Sequence, residues 1–326
     1  MDLLNPEGGP VLYTTRFPLM GGTGIVRFLD GRGREQAERI ARRAEGEARR
    51  IERKFSRFLP QSVLTRLNEE AAKGPAAVDD ETEGLLLAAL ELRRTTHGAF
   101  DPTIGPLARA WDFRQGIVPT PATLARLLPL VDGSRVELRN GTVRFARPGM
   151  ELDLGGVGKE YAADAVAELL REDGVACAIV NFSGDVRTVG RKGNGRPWSV
   201  GIQDPRDRNR CRFVLRVAQD AGVATSGDYE RFFEQDGVRY NHLLDARTGL
   251  PARGLASATV VAQTAFAAGR LATAAFLLGP RAGLELLERT PHTEGALITP
   301  EGAVLATRGL ARISTLGVRE AVRASA

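Results

Sequence analysis

The sequence predicts an α+β fold with mixed or antiparallel sheets flanked by helices. Three observations predict it: long segments with helical apolar periodicity, several short strand-like runs, and turn signals that join neighbouring strands into hairpins. Helices and strands follow one another without strict βαβ alternation, which argues against a doubly wound parallel sheet. The chain has 326 residues, of which 43% are hydrophobic, so it can bury a large core.

Helices and hairpins alternate in the first half of the chain. Helical periodicity or helix-start signals occur in the segments 32–58, 80–96 and 120–128. The first places small and apolar side chains on one face and arranges glutamates four residues before arginines elsewhere. The third begins with Thr120 as an N-cap followed by proline. A strand-like run at 21–29 follows a Gly-Gly turn, and Asn140-Gly141 is the strongest hairpin signal.

The second half is richer in strands. Residues 151–172 are interpreted as a strand, a glycine turn and a helix. Strand-like runs follow within the segments 174–190, 198–202, 211–217 and 257–263. A helix at 264–279, a second short helix and a hairpin at 295–307 complete the predicted fold.

The positive charge is weak evidence for a nucleic-acid partner. The formal net charge is +5 and the isoelectric point about 9.6. Much of the excess lies in 32–58, where acidic residues alternate with arginines, as on a solvated helix face. A nucleic-acid surface would carry basic residues without interleaved acids, so we expect no nucleic-acid partner.

Two further classes of feature are not predicted. Cys177 and Cys211 have neither the spacing of a disulfide framework nor that of a metal site. The N-terminal residues do not resemble a secretory signal, and no apolar run approaches the length of about 18 residues expected of a membrane span. We therefore expect a cytoplasmic protein without a membrane segment.

The stretch HGAFDPTIGPLARAWDF (97–113) contains parts suited to a nucleotide or flavin ring. Gly98 permits a close approach of the backbone, and Phe100 offers a flat apolar face. Asp101, which precedes a proline, could accept hydrogen bonds from ring or ribose donors. The same residues are also typical of an Asx turn that caps the following helix, and both interpretations remain open.

The stretch LDLGGVGKEYAAD (152–164) predicts an anion site. Its glycines leave backbone N–H groups free at a helix N-terminus. Lys159 lies in the first turn, where it opposes the helix dipole, and this favours an external anion as its partner. The spacing matches neither the Rossmann fingerprint nor the P-loop, and a tight strand–helix corner would also explain the glycines.

Three shorter features end predicted strands. The Ser-Gly-Asp sequences at 183–185 and 226–228 could be polar tips that face a substrate, or simple turns. His242 follows the strand-like run VRYN and precedes Asp245 by three residues. A lone histidine in such a place is commonly a core residue, so its functional interpretation depends on the other stretches.

Taken in order, these stretches resemble the FAD:protein FMN transferase family of ApbE-like flavin transferases. The matching stretches are FPLMGGT (17–23), SRFLPQSVLTRLN (56–68), GAFDPTIGPLARAW (98–111), LDLGGVGKEYAAD (152–164), FSGD (182–185), VATSGDYERFF (223–233), HLLDARTGLP (242–251) and LATAAFLLG (271–279). The resemblance implies one ApbE-like domain at 16–318, between tails at 1–15 and 319–326. It also implies a T-fold-related architecture of two α+β subdomains with an FAD cleft between them.

The resemblance implies a reaction and its residues. Such proteins, with Mg²⁺, move the FMN half of FAD onto a Thr or Ser hydroxyl of a partner flavoprotein and release AMP. The implied FAD contacts are Met20, Ala99, Phe100, Asp101, Asp153, Lys159 and Leu243. His242 and Asp245 are the implied catalytic residues, with His242 as proton carrier for the attacking hydroxyl.

The implied magnesium site departs from the family pattern. The usual aspartate four residues before Thr273 is Gly269 here, and the glycine that usually follows the lysine is Glu160. Thr273 and the carbonyl of Gly156 remain as oxygen ligands. Because two neutral oxygens bind Mg²⁺ poorly, we expect a weak or rebuilt site, and we expect Gly269→Asp to raise the affinity for Mg²⁺.

Three functions remain open on the sequence alone. An active transferase would release AMP and flavinylate an acceptor covalently. A flavin-binding relative without transferase activity would hold FAD regardless of chelators, and an arginine-rich nucleic-acid binder on another fold would bind with a steep dependence on salt. We favour the transferase, because the combination of His242, Asp101, Asp153 and Lys159 has little purpose without a bound nucleotide.

Overall fold

An eight-stranded antiparallel sheet is the centre of the computed structural model, which describes residues 10–217 and 219–316. The strands, in chain order, are β1 (Val11–Leu19), β2 (Gly22–Asp30), β3 (Ala76–Ala77), β4 (Val136–Arg139), β5 (Thr142–Phe145), β6 (Ala178–Phe182), β7 (Asp185–Val189), β8 (Trp198–Asp204), β9 (Asp207–Val217), β10 (Gly222–Gly227), β11 (Phe232–Gln235), β12 (Val238–Asn241), β13 (Leu244–Asp245), β14 (Leu250–Pro251), β15 (Ser257–Ala262), β16 (Glu294–Ile298) and β17 (Val304–Ala306). The helices are α1 (Arg34–Phe55), α2 (Val63–Ala71), α3 (Asp80–Thr95), α4 (Gly105–Ala110), α5 (Pro121–Leu127), α6 (Gly158–Glu172) and α7 (Ala265–Arg289). Single turns of 3-10 helix occur at Leu128–Leu130, Gly133–Arg135 and Leu310–Arg312.

The strand pairings confirm the predicted α+β class. The large sheet has the order β1-β2-β6-β7-β10-β15-β16-β17, and each neighbouring pair is antiparallel. The smaller sheets are the three strands β3-β5-β4 and the hairpins β8-β9, β11-β12 and β13-β14, which are also antiparallel. Within the described residues the sheets are therefore antiparallel rather than mixed.

Both faces of the large sheet are covered. On one face α1, α6 and α7 pack against the strands in a core that includes Phe28, Val166 and Phe276, all fully buried. On the other face the β8-β9 hairpin packs against the sheet through side chains such as Phe213 and Val223. None of the described helices is long and apolar enough to cross a membrane.

Local sequence signals specify most of the helix and hairpin positions. The apolar side of α1 is buried as predicted, and Arg49 pairs with Glu45 at 2.8 Å on its polar side. The side chain of Thr120 accepts a hydrogen bond from the backbone at the start of α5. Asn140 and Gly141 join β4 to β5 with φ angles of 52° and 67°, as the hairpin signal predicts.

The structure differs from the sequence analysis at two places. Residues 152–154 form no strand, because the backbone of Leu152 exchanges hydrogen bonds with the side-chain amide of Asn68, at 2.8 and 3.0 Å. Strand β1 begins at Val11, within the segment that the sequence analysis assigned to an N-terminal tail, and pairs with β2 over its whole length. The rest of that tail, at 1–9, and the C-terminal tail at 319–326 lie outside the described residues.

Helix α7 is kinked where the sequence predicts one helix to end and another to begin. Gly279 has a φ of 81° and precedes Pro280, so the segments on either side are joined at an angle. The first segment is fixed to α6 by Asp164, whose carboxylate accepts hydrogen bonds from the backbone N–H groups of Ala265 and Phe266 at 2.9 and 2.8 Å. This contact sets the position of the residues that α7 presents to α6.

Replacement of Asp164 by alanine is expected to lower the free energy of unfolding by about 2–3 kcal/mol, because two backbone donors at the start of α7 lose their acceptor. The buried Arg187, which lies 3.0 Å from the same carboxylate, also loses its partner. Urea denaturation would measure the change. Glu168→Ala on the exposed side of α6 is the control and should change stability by less than about 0.5 kcal/mol. Equal losses in the two variants would contradict this role of Asp164.

Candidate functional site

Two turns meet at one end of the large sheet. Met20 and Gly21 connect β1 to β2 with positive φ angles of 48° and 75°, and the N–H of Met20 donates to Oε1 of Glu52 at 2.6 Å. Ser183, in the turn between β6 and β7, exchanges hydrogen bonds with the backbone of Thr23 at 3.1 and 3.2 Å. The predicted flavin contact at Met20 therefore lies beside the predicted polar tip at 183–185.

The tip ends in Asp185, which forms an ion pair with Lys159 at the N-terminus of α6. The Nζ–Oδ2 distance is 2.8 Å, and the Asp185 side chain is only 4% exposed. Burial opposes the charged form of Lys159, but Asp185 and Glu160 outweigh it and raise the pKa of the lysine. Asp185 thus supplies the anion that the sequence analysis expected Lys159 to find in a ligand. Among the residues that the structure describes, no side chain caps α6 at Val157.

Glu160, the next residue of α6, occupies the space beside Gly269 of α7. A Cβ atom at position 269 would lie 2.4 Å from Cγ and 2.5 Å from Oε1 of Glu160. Glu160 is 6% exposed, and its Oε2 has no hydrogen-bond partner among the described residues. Burial and then the negative charge of Asp185 raise the pKa of Glu160 to about 8.

This contact places a carboxyl group, which the sequence analysis did not consider, beside the position of the usual aspartate. The hydroxyl of Thr273 is present as predicted and lies 3.1 Å from that of Ser226 on β10. Gly156, the other predicted ligand, is in the turn that leads into α6. A buried carboxyl group from α6 accompanies them. The Asp side chain of a Gly269→Asp variant could enter only if Glu160 moved first, so the expected gain in Mg²⁺ affinity lacks its structural basis.

His242 follows directly after β12. Its backbone N–H donates to the carbonyl of Arg231 at 3.0 Å, and its Nδ1 is buried without a partner among the described residues. Burial, followed by the positive charges of Arg231 and Lys159, lowers the pKa of His242 to about 4. The imidazole is therefore neutral near neutral pH and can accept a proton.

The two other predicted residues of this segment make contacts within the chain. Asp245 pairs with Arg247 at 2.6 Å and caps the turn between β13 and β14, so its carboxylate does not hold Nδ1 of His242. Leu243 is half-buried and its carbonyl accepts a hydrogen bond from Ala252 at 2.8 Å. Both residues stabilise the loop that carries His242.

We expect His242 to make the free energy of unfolding fall between about pH 6.5 and pH 4. The folded-state pKa of about 4 lies below the ordinary value of 6.5, so the unfolded chain binds more protons in this interval. The contribution is fully present above pH 6.5 and is lost as the pH falls to 4, by on the order of 3 kcal/mol. Urea denaturation at several pH values should give a flatter profile for His242→Gln than for the wild type. Parallel profiles would show that His242 does not bind protons differently in the two states.

The Phe100 corner, residues 97–103, joins the glycine turn to the histidine loop. The carbonyl of Ala99 accepts a hydrogen bond from the N–H of Ala246 at 2.9 Å. The ring of Phe100 packs on Gly156, where an added Cβ atom would lie 3.1 Å from Cε2. The three stretches predicted to bind the nucleotide therefore lie together in the folded chain.

Asp101 holds the corner in shape. Its Oδ1 accepts from the N–H and hydroxyl of Thr103 at 2.9 and 2.6 Å. Its Oδ2 accepts from Nε of Arg93 at 2.6 Å and from the N–H of Gly133 at 2.8 Å. A carboxylate offers about four lone-pair sites, so these bonds saturate it. The predicted contact of Asp101 with a nucleotide would require one of them to be exchanged.

Asp153 links the glycine turn to the same corner. Its N–H donates to the carbonyl of Pro102 at 2.8 Å, and its carboxylate accepts from the N–H of Gly155 at 2.7 Å. Arg57 lies 3.0 Å from the other carboxylate oxygen. A cavity of about 420 Å³ opens beside the corner, lined by residues that include Arg93, Gly98, Asp101, Ala246 and Arg247.

Sequence reasoning missed two features of the charged groups at this site: the partner of Lys159, which is Asp185, and the presence of Arg231. Asp185 belonged to a recognised polar tip, but nothing local indicated that Lys159 would be its partner. Arg231 is exposed, and one of its guanidinium nitrogens would lie 3.7 Å from a Cβ atom added at Gly21. Its place after the second Ser-Gly-Asp tip was the only available signal.

The chain is similar to flavin transferases over most of its length. A family model described as the ApbE family matches residues 20–298. The FAD:protein FMN transferase of Treponema pallidum is 36% identical over 277 residues, which cover 79% of this chain and 76% of that protein. The crystal structure of the ApbE protein of Thermotoga maritima has a TM-score of 0.83 and 32% identity, and covers 93% of this chain and 99% of its own. The apo flavinyl transferase ApbE of Pseudomonas stutzeri has a TM-score of 0.84 and 29% identity, with coverage of 98% and 100%.

Proposed function

This chain belongs to the ApbE family, and from that premise we propose how it acts as an FAD:protein FMN transferase. FAD lies in contact with the Phe100 corner, the Met20 turn and the N-terminus of α6. The acceptor is a Thr or Ser hydroxyl of a partner flavoprotein. The observation that carries the assignment of the site is the meeting of the Phe100 corner, the glycine turn before Lys159 and the loop of His242.

The reaction exchanges one bond to phosphorus for another. The acceptor oxygen attacks the phosphorus on the flavin side of the FAD pyrophosphate, and a new P–O bond forms. The bond from that phosphorus to the bridging oxygen breaks, and AMP leaves with the bonding electrons. His242 takes up the proton of the attacking hydroxyl through its unprotonated imidazole.

Positive charge next to His242 suits a pyrophosphate. Arg231 makes no ion pair among the described residues, and its charge lies close enough to lower the pKa of His242. A guanidinium group can donate two parallel hydrogen bonds to phosphate oxygens. The uncapped start of α6 offers backbone N–H groups of the kind that bind phosphates at helix N-termini. We assign these groups to the phosphates of FAD.

Magnesium fits the oxygen-rich space between α6 and α7. Among the described residues there is no cluster of three His, Cys, Asp or Glu side chains that could hold a metal. Mg²⁺ does not need one, since it commonly binds one or two carboxylates together with substrate phosphates. A buried carboxylate oxygen of Glu160 without a partner, the Thr273 hydroxyl and the Gly156 carbonyl are donors of the right kind. When bound, Mg²⁺ neutralises the charge that develops on the pyrophosphate.

Mass spectrometry after incubation with FAD, Mg²⁺ and an acceptor peptide that carries a flavinylation threonine tests the function. We expect an adduct with the mass of FMN on the peptide and an equal amount of free AMP. A matched peptide with alanine in place of the threonine should remain unmodified, and one with serine should react. Tight binding of FAD without AMP or adduct would instead indicate a flavin-binding protein without transferase activity.

A further inference from the structure

We propose that Glu160 is the carboxylate ligand of the metal ion in this chain, and that it reaches from α6 into the space left by the glycine at position 269 of α7. The proposal rests on the proposed function, because it names the residue that completes the metal site of that reaction. It also gives a single explanation for two departures of this sequence from the family pattern, because the carboxyl group that the pattern has at 269 is supplied here from 160.

The first observation is the shape of the space. Position 269 lies on α7 one helical turn before Thr273, so a side chain there would point toward the same place as the threonine hydroxyl. Glu160 fills this place: its Cγ, Cδ and Oε1 would lie 2.4, 2.7 and 2.5 Å from a Cβ atom at 269. The carboxyl group of Glu160 therefore takes the position of the missing side chain, and glycine is required to admit it.

The second observation is an unsatisfied oxygen. Glu160 is 6% exposed, and its Oε2 has no hydrogen-bond partner among the described residues. A buried carboxyl oxygen without a partner is costly unless a cation or a hydrogen bond compensates it. Lys159, whose positive charge acts on Glu160, has its ammonium 2.8 Å from Asp185 instead. A cation taken up during the reaction would provide the partner that Glu160 lacks.

The third observation is the chemistry of the surrounding donors. The hydroxyl groups of Thr273 and Ser226 lie 3.1 Å apart between α7 and β10. The Glu160 carboxyl group, beside position 269 one turn earlier on α7, adds a further oxygen donor, and none of the three groups is a sulfur or an imidazole. Such a set suits Mg²⁺ or Mn²⁺ rather than zinc or copper, and it leaves most coordination positions to phosphate and water.

The test measures metal binding directly, without turnover. Mn²⁺ is titrated into the full-length protein, and the free ion is followed by its electron paramagnetic resonance signal. Glu160→Gln keeps the shape of the side chain but cannot ionise to a carboxylate when a metal ion binds, and we expect it to weaken Mn²⁺ binding at least tenfold. Glu168→Gln on the exposed side of the same helix should bind Mn²⁺ as the wild type does.

A pair of exchange variants tests the link between the two positions. Glu160→Gly alone should weaken Mn²⁺ binding as Glu160→Gln does. Combining Glu160→Gly with Gly269→Asp returns the carboxylate to α7, and we expect the affinity to recover to within about threefold of the wild type. Thermal unfolding of each variant without metal identifies any that fail to fold, and Glu160→Gln provides the decisive comparison in that case.

Three results would overturn the proposal: no Mn²⁺ binding by the wild type, wild-type affinity in Glu160→Gln, or a folded double variant that binds no better than Glu160→Gly. These results differ from a failure of the proposed function. If the wild type binds Mn²⁺ through Glu160 but gives neither AMP nor a flavinylated peptide, the ligand assignment stands and the transferase function is wrong. If the wild type transfers FMN while Glu160→Gln binds Mn²⁺ normally, the function stands and the ligand assignment is wrong.

Discussion

Replacement of His242 by glutamine is expected to lower kcat for FMN transfer by about 10²–10⁴-fold, the range typical for loss of a general base. Glutamine has a similar reach but cannot take up the proton of the acceptor hydroxyl. Without FAD, burial and the cationic neighbours lower the pKa of His242 to about 4, so the imidazole is unprotonated at neutral pH but only weakly basic. The phosphates of FAD would add negative charge beside it and strengthen it as a base.

Binding and chemistry should separate in this variant. FAD affinity, measured by flavin fluorescence, should change by less than about threefold, since the phosphate-binding groups and the Phe100 corner are untouched. His292→Gln, in an exposed turn before β16, is the matched control and should keep wild-type kcat. If His242→Gln retained kcat within threefold of the wild type, another group must accept the proton. A large loss of FAD affinity with unchanged kcat would assign His242 to binding alone.

Replacement of Asp101 by asparagine is expected to lower the free energy of unfolding by about 3 kcal/mol. The Asp101 side chain is 3% exposed and accepts four hydrogen bonds, so an amide NH₂ in place of one oxygen would face the donors of Arg93 or Gly133. The same change should weaken FAD binding, because Asp101 fixes the corner that carries Ala99 and Phe100. Urea denaturation gives the first quantity and flavin fluorescence the second.

Asp132→Asn is the matched control for this prediction. Asp132 is the second carboxylate that pairs with Arg93, at 2.9 Å, but its side chain is 30% exposed. We expect a loss of less than about 1 kcal/mol, as for a partly solvated ion pair. If Asp101→Asn cost no more than Asp132→Asn, the buried carboxylate would not be the element that holds the corner. Normal stability with lost FAD binding would support a direct contact with the nucleotide instead.

Features encoded by neighbouring residues could be predicted from the sequence. The buried side of α1, the threonine cap of α5 and the Asn140-Gly141 hairpin depend on side chains within a few positions of one another. Strand β1 was not predicted, although Val11, Tyr13, Phe17 and Leu19 alternate with exposed positions along it, as in a half-buried strand. Residues 152–154 do not form the predicted strand, because the backbone of Leu152 is hydrogen-bonded to the side chain of Asn68, which is distant in sequence.

The site was predictable in its location and less so in its contacts. The order of the motifs placed the Phe100 corner, the glycine turn and the histidine together, as the structure does. The ion-pair partners of the carboxylates could not be derived in the same way. Asp101 pairs with Arg93 and Asp245 with Arg247, and the sequence alone does not show which acidic side chains have a partner within the chain. The contact of Glu160 with Gly269 joins two helices, and only the coincidence of two unusual residues hinted at it.

That contact also restricts how the protein can evolve. Adding a side chain at 269 while the glutamate is retained creates an overlap at 2.4 Å, and shortening the glutamate while the glycine is retained leaves a void. Changing the residue at 160 or at 269 alone is therefore expected to destabilise the protein. Related proteins that differ from this chain at one of these positions should also differ at the other. An inventory of family members that inspects one alignment column at a time would count each change as a loss and would discard working enzymes as degenerate copies.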